Sequence, residues 1–328
     1  MINAVITGVG GYVPDYVLTN EELSTMVDTN DEWIVTRTGI KERRILKNGV
    51  TSDMAVKAIE ELLRKTNTKP EEIDLLLVSS VSPDMKVPTM VNIIIDKLNM
   101  TKAWGFDYQA ACSGFLFGLE IVSNMVKSGR YKKTILVGVD MMSSIVNYND
   151  RNTCILFGDG AGAIMIEPKE DSEFGIIDTQ NYCDSSSNAV ENLNIKRHGS
   201  KYPLTKETVD LNEQYIYQDG KKVFVKAVKG MADVVEEVML RNNLSKENLA
   251  WMVPHQANKR IIDAARDRAG LTEDKVMLNI QRYGNTTNAT IPLCLWEYEK
   301  QLKKGDNLML CAFGAGYTWG SAYVKWAY

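Results

Sequence analysis

Histidine is scarce in this chain: His198 and His255 are the only two in 328 residues, too few for imidazole-based metal chemistry. The five cysteines, Cys112, Cys154, Cys183, Cys294 and Cys311, are an odd number, widely spaced and without a CxxC pair. That excludes a disulfide framework and a zinc site, and points to a reducing compartment, hence a cytoplasmic protein. An excess of basic charge is also missing. A net charge of −4 supplies no field to hold nucleic acid or an anionic membrane. No apolar run approaches the ~18 residues that cross a bilayer. The start, Met1-Ile2-Asn3-Ala4-Val5-Ile6, enters an apolar strand pattern with no basic leader, so no signal peptide is expected.

What is there is ordinary globular composition, 45% hydrophobic and 24% charged, enough for one large domain or two of usual size. An anionic substrate must therefore be met by local basic residues. The main organising signal is an echo at an offset of 176 residues. Ile59-Glu60-Glu61-Leu62-Leu63, then Asn67, then Ile73 to Ser79 is answered by Val235-Glu236-Glu237-Val238-Met239, then Asn243, then Leu249 to His255. Each copy reads as an amphipathic helix, a polar link and a strand apolar on both faces, as in α/β proteins. Two α/β halves are expected, 1–175 and 176–328. Further strands are predicted at Ala103 to Ala110, Thr134 to Val139, Lys275 to Ile280 and Ser321 to Trp326. Helices are predicted from Ser113 to Ser128, closed by Gly129, and from Thr286 to Leu302 with Pro292 in its early turns. The polar stretch from Asn181 to Gln214 reads as a surface excursion, not a third domain.

Three strand ends carry chemistry-bearing residues. In Ala110-Ala111-Cys112-Ser113-Gly114-Phe115 a strand delivers a cysteine to a helix N-terminus, where free amides and the dipole favour the thiolate and lower its pKa. The setting suits a nucleophile and a buried structural cysteine equally. Cys154 and Cys311 read as core residues in apolar strands, Cys294 as a helix residue, and Cys183 as part of a polar loop. In Val253-Pro254-His255-Gln256-Ala257-Asn258 a histidine ends a strand, as ligand-binding residues of α/β folds do, or is a structural hydrogen-bonder. In Tyr283-Gly284-Asn285-Thr286 the asparagine is by itself a turn former or helix cap. Phe157-Gly158-Asp159-Gly160-Ala161-Gly162 lacks the Lys-Ser/Thr ending of a phosphate loop. Phe313-Gly314-Ala315-Gly316 joins two strands and suits either a tight turn or a backbone oxyanion donor.

Together these segments resemble the β-ketoacyl-acyl-carrier-protein synthase III family of the thiolase superfamily. So do Thr29-Asn30-Asp31-Glu32-Trp33-Ile34, Arg37-Thr38-Gly39-Ile40 and Thr318-Trp319-Gly320-Ser321. The resemblance spans nearly the whole chain. It implies an α/β thiolase-like fold, duplicated α/β halves in a layered αβαβα arrangement, the first half carrying the cysteine and the second the histidine and asparagine. It implies a homodimeric acyltransferase that starts fatty acid synthesis. An acyl group passes from coenzyme A to Cys112, and decarboxylating malonyl on acyl carrier protein attacks it to give a 3-oxoacyl product. By resemblance His255 and Asn285 donate to the malonyl thioester oxygen, and the amides of Cys112 and Ala315 form the oxyanion hole. Trp33, Arg37 and Arg151 hold coenzyme A, Asn258 contacts the pantetheine arm, and Arg260, Lys222 and Lys226 dock the carrier. Val87 lines the far end of the acyl tunnel. No metal and no tightly bound cofactor are implied.

The chain departs from the family pattern at Ala315, where Gly is usual, at Lys221, where Asn is usual, and at Val225, where a basic residue is usual. Rival readings are an acyltransferase of secondary metabolism with another acceptor and a non-catalytic partner subunit. The motifs fit the first as well, and Asn285 favours decarboxylative condensation over it; Cys112 in a complete motif set speaks against the second. A hydroxymethylglutaryl synthase relative would need a glutamate base near Cys112, which the sequence lacks.

Overall fold

Strands apolar on both faces need helices on both sides. The computed structural model, which describes residues 1–184 and 189–328, supplies them with two sheets. The first sheet is built from β1 (Ile2–Tyr12), β2 (Leu75–Ser79), β3 (Trp104–Tyr108), β4 (Thr134–Asp140) and β5 (Gly160–Glu170), in the order β1-β5-β4-β2-β3. The second holds β6 (Gly175–Cys183), β7 (Trp251–Pro254), β8 (Asn307–Gly314) and β9 (Thr318–Lys325), in the order β7-β8-β9-β6. Val276 adds one parallel bridge to Met252 at the β7 edge. Read from β6, the second sheet therefore repeats the first four strands of the first, two antiparallel pairings and then a parallel one, with the Val276 bridge in the place of β3.

Alternation within the strands assigns the layers. Leu75 and Leu77 of β2 and Leu308 and Leu310 of β8 share one apolar cluster between the sheets. Leu76 and Val78 turn outward into a second cluster, and Met309 and Cys311 into a third. Seven helices are named here: α1 (Asp31–Thr38), α2 (Thr51–Thr66), α3 (Met90–Leu98), α4 (Gly114–Lys127), α5 (Gly220–Arg241), α6 (Lys259–Arg268) and α7 (Thr290–Tyr298). Helices α4 and α7 lie in the middle layer, with Leu119, Val122, Ile291 and Leu295 in the inter-sheet cluster. Helix α2 covers the first sheet from outside, and α5 covers the second. The layered αβαβα arrangement expected from the sequence is the one observed.

The echo extends to backbone detail. Ala111 and Thr287, related by the same offset, both adopt a left-handed φ of 47°. Each opens a 3-10 turn, Ala111–Ser113 and Thr287–Ala289, that runs into α4 or α7.

Four local expectations are corrected. Lys275 to Ile280 is not a strand, because the buried Gln256 side chain takes the Asn279 and Ile280 amides, at 3.1 Å each, that a longer ladder would use. A 3-10 turn at Glu273–Lys275 and a short helix at Ile280–Tyr283 flank the single bridge instead. The helix expected from Thr286 to Leu302 is α7, shorter at both ends, with Pro292 in its first turn where its missing N–H costs nothing. Cys154 lies in a helical turn, Arg151–Cys154, capped by Asp150, and Cys183 ends β6 instead of lying in a loop. The Asn181 to Gln214 excursion is made of short elements and turns. Its residues 185–188 lie outside the described residues.

Candidate active site

Because both halves point their strand ends the same way, residues far apart in sequence line one cavity of about 1000 Å³. Cys112, His255, Asn285 and Ala315 all line it. Cys112 reaches it from the turn between β3 and α4, His255 from the end of β7, Asn285 from the loop before α7, and Ala315 from the β8–β9 turn.

The Cys112 turn is held tightly. Ser113 Oγ and Thr318 Oγ1 lie 2.6 Å apart, and both reach the Ala110 carbonyl, at 2.8 and 2.9 Å. Thr318 also reaches the Ala315 carbonyl at 3.1 Å, so the two turns that offer the Cys112 and Ala315 amides are tied together. Gly314 allows this approach: a Cβ there would stand 2.7 Å from the Cys112 nitrogen. The expectation of a lowered thiol pKa is overturned. Enclosure by protein pushes the Cys112 thiol up to about 12, the Asp140 charge adds to the rise, and the local backbone amide only partly offsets it. Cys112 rests as a thiol.

His255 is 1% exposed, and burial pushes its pKa down to about 3, so the ring is neutral. Its Nδ1 lies 2.7 Å from Thr290 Oγ1, which itself donates to the Thr287 carbonyl at 2.9 Å. A hydroxyl has one proton to give, so Thr290 accepts from Nδ1–H. Nε2 is then the free ring atom, with its lone pair available. Asn285 is fixed in the opposite sense. Its Oδ1 accepts from the Thr287 amide at 2.9 Å, which leaves its NH₂ as the free donor. One site residue thus offers an acceptor and the other a donor.

At the mouth, Trp33 lies between two guanidinium groups, Arg37 at 4.6 Å and Arg151 at 5.1 Å from its ring centre. Trp33 and Arg37 line the cavity, whereas Arg151 stands behind them, its Nη1 donating to the Asp28 carbonyl at 2.9 Å. Asn258 lines the cavity, but its carboxamide is committed on both sides. It accepts from the Arg260 amide at 2.9 Å as the α6 cap and donates to the Arg37 carbonyl at 3.0 Å. Arg260 lines the mouth over Phe224, with Lys221 and Val225 nearby. Lys222 and Lys226 are outside the lining, paired with Asp219 and Asp184. Val87 is 82% exposed and does not line the cavity of its own chain.

The profile of the 3-oxoacyl-(acyl-carrier-protein) synthase III family matches residues 106–185, and that of its C-terminal region matches residues 239–326. A β-ketoacyl-acyl-carrier-protein synthase III of Phocaeicola vulgatus is 54% identical over 100% of this chain and 98% of its own length. The chain belongs to the synthase III family. The crystal structure of a family member from Aquifex aeolicus superposes with a TM-score of 0.90 at 38% identity, covering 98% of this chain and 100% of that one. A priming β-ketosynthase of a polyketide pathway also reaches a TM-score of 0.90, at 31% identity over 99% of this chain and 96% of its own. The fold is accordingly that of the thiolase-like condensing enzymes. Within this synthase III chain, sequence reasoning missed Thr290 and Asp140, and it noted Thr318 only as part of a family segment, without a role. Asp140 left one signal, a carboxylate closing the otherwise apolar run of β4.

Among the described residues, no group of three or more His, Cys, Asp or Glu could hold a metal ion. Among them too, no helix is long and apolar enough to cross a membrane.

Proposed function

We propose that this chain is a β-ketoacyl-acyl-carrier-protein synthase III that begins fatty acid synthesis. In this reading it condenses an acyl-coenzyme A primer with malonyl-acyl carrier protein. The observation that carries it is the meeting of Cys112, His255, Asn285 and the Ala315 turn on one cavity.

In the first half-reaction His255 Nε2 takes the Cys112 thiol proton as the sulfur attacks the acyl thioester carbonyl. The Cys112 and Ala315 amides receive the developing oxyanion, and the departing coenzyme A sulfur leaves with the proton from His255. In the second, malonyl thioester loses carbon dioxide, and the Asn285 NH₂ donates to its oxygen as the enolate forms. As the anion forms, His255 Nε2 takes from solvent the one proton that the overall reaction consumes, so His255 donates beside Asn285. The carbanion attacks the acyl-Cys112 carbonyl, the carbon–sulfur bond breaks, and the proton on His255 passes to the Cys112 sulfur.

Trp33, Arg37 and Arg151 suit the flat base and phosphates of coenzyme A by stacking and charge. Coenzyme A enters as substrate, not as a resident cofactor. Asn258 acts by joining α6 to α1, beside a pantetheine arm. Arg260, with Lys222 and Lys226 on the same rim, suits an acidic carrier. Five free cysteines suit a cytoplasmic setting. We further propose a homodimer, in which the exposed Val87 serves a tunnel that its own chain does not form, and a division into halves at 175/176.

The test separates the half-reactions. Asn285→Ala is expected to keep acyl transfer onto Cys112 and to lose about 10²-fold or more in condensation with malonyl-acyl carrier protein. Equal loss in both half-reactions contradicts the assigned role.

A further inference from the structure

The internal repeat gives every active-site residue a counterpart. The offset that relates Ala111 to Thr287 carries Cys112 onto Asn288 and His255 onto Ser79. These counterparts meet as well: Ser79 Oγ donates to Asn288 Oδ1 at 2.6 Å, with both residues fully buried. The mirror image of the active site is thus closed, and Asp140, the last residue of β4, fills it. One carboxylate oxygen accepts from Ser80 Oγ at 3.0 Å, Val81 N at 2.7 Å, Ser82 N at 3.1 Å and Ser82 Oγ at 2.9 Å. The other accepts from Thr287 Oγ1, Asn288 N at 3.1 Å and Asn288 Nδ2 at 2.7 Å.

Four of the seven partners are N–H groups that can only donate, two on each oxygen, and the other three are hydroxyls, so the arrangement favours the ionised form. The partners are all neutral; burial pushes the Asp140 pKa up, and the hydrogen bonds from Thr287, Asn288 and Val81 work against that rise. From Asp140 the bonds run outward through Thr287. The Thr287 amide holds Asn285 Oδ1, and the Thr287 carbonyl holds Thr290, whose oxygen meets His255 Nδ1. The network also presses on the Cys112 helix. A Cβ on Gly114 would fall 2.1 Å from Ser79 Oγ and 2.4 Å from Asn288 Oδ1.

We propose that Asp140 is a positioning residue for the condensation: held in the closed mirror site, it aims Asn285 and His255 through Thr287. The inference rests on the roles given above to Cys112, His255 and Asn285. Burial is the main cause of the raised Cys112 pKa and the Asp140 carboxylate a secondary one, which also raises that of Asp159. A carboxylate that served packing alone would act on both half-reactions alike. This one reaches Asn285, which acts only in decarboxylation, so its removal costs condensation more than acyl transfer.

Asp140→Asn keeps the shape, removes the charge and turns one acceptor oxygen into an NH₂ among donors. Acyl transfer from acyl-coenzyme A onto Cys112, read by intact mass, is expected to stay within about threefold of wild type, since Asn285 takes no part in that step. Condensation by the acylated variant is expected to fall at least ~10-fold. Thr287→Val cuts the hydroxyl link to Asp140, so condensation by its acylated form falls while acyl transfer onto Cys112 persists. Wild-type condensation by Asp140→Asn, or equal loss in both half-reactions, overturns the proposal. Should Asp140→Asn not fold, Thr287→Val decides alone, and wild-type condensation or equal loss in both half-reactions overturns it. Failure of the condensing-enzyme reading would appear instead in the wild type, as no acylation of Cys112.

Discussion

A cysteine at the head of a helix reads from sequence as an activated thiolate, and here the position was legible while its protonation state was not. Two neighbours that the motif does not contain decide the state: the protein that encloses the thiol, and Asp140, which is 28 residues away in sequence. With the thiol pushed up to about 12, the thiolate fraction below that value rises tenfold per pH unit. Alkylation of Cys112 should therefore climb about tenfold per unit from pH 7 to 10 without a plateau. A plateau near neutral pH, measured by mass under pseudo-first-order conditions, would mean that the thiolate is already formed. His255 and Asn285 stood at legible strand and turn ends, but which atom of each is free was set by Thr290 and Thr287. Those hydrogen bonds follow from tertiary contact and leave no periodic trace.

At the scale of elements, the apolar runs identified β2, β4, β7 and β8 because burial on both faces leaves a continuous signal. The run after Lys275 carried the same signal and formed only one bridge. There the competitor was a single side chain, Gln256, which no window of hydrophobicity registers. The turn between β8 and β9 is where elements meet the chemistry most closely. With a Cβ on Gly314 at 2.7 Å from the Cys112 nitrogen and 3.0 Å from that of Ser113, Gly314→Ala has to push the two turns apart. The expected result is a loss of about 1–3 kcal/mol in stability, seen as a lower Tm. Acyl loading should slow by ~10²-fold as the two amides lose register. Wild-type loading with unchanged Tm would mean that the turn is looser than drawn.

At the scale of the whole molecule, one offset relates helix, strand, left-handed residue and nucleophile turn across the chain. The repeat explains why the cavity needs both halves: Cys112 comes from one and His255 and Asn285 from the other, and neither sheet alone brings them together. It also explains the asymmetry, since one of two equivalent positions opened into a cavity and the other closed around Asp140. The layered fold was legible because the repeat is written in apolar spacing. The closed mirror site was not, because Ser79, Asn288 and Asp140 are ordinary residues until the sheets stack. The central claim, that Cys112 carries the acyl group, is tested most directly by the mass of the intact protein after mixing with acyl-coenzyme A thioesters of several lengths. The wild type should gain one acyl mass that hydroxylamine removes, and Cys112→Ser should gain none. A wild type that stays unmodified with every thioester, or a Cys112→Ser protein that is labelled equally, would contradict it.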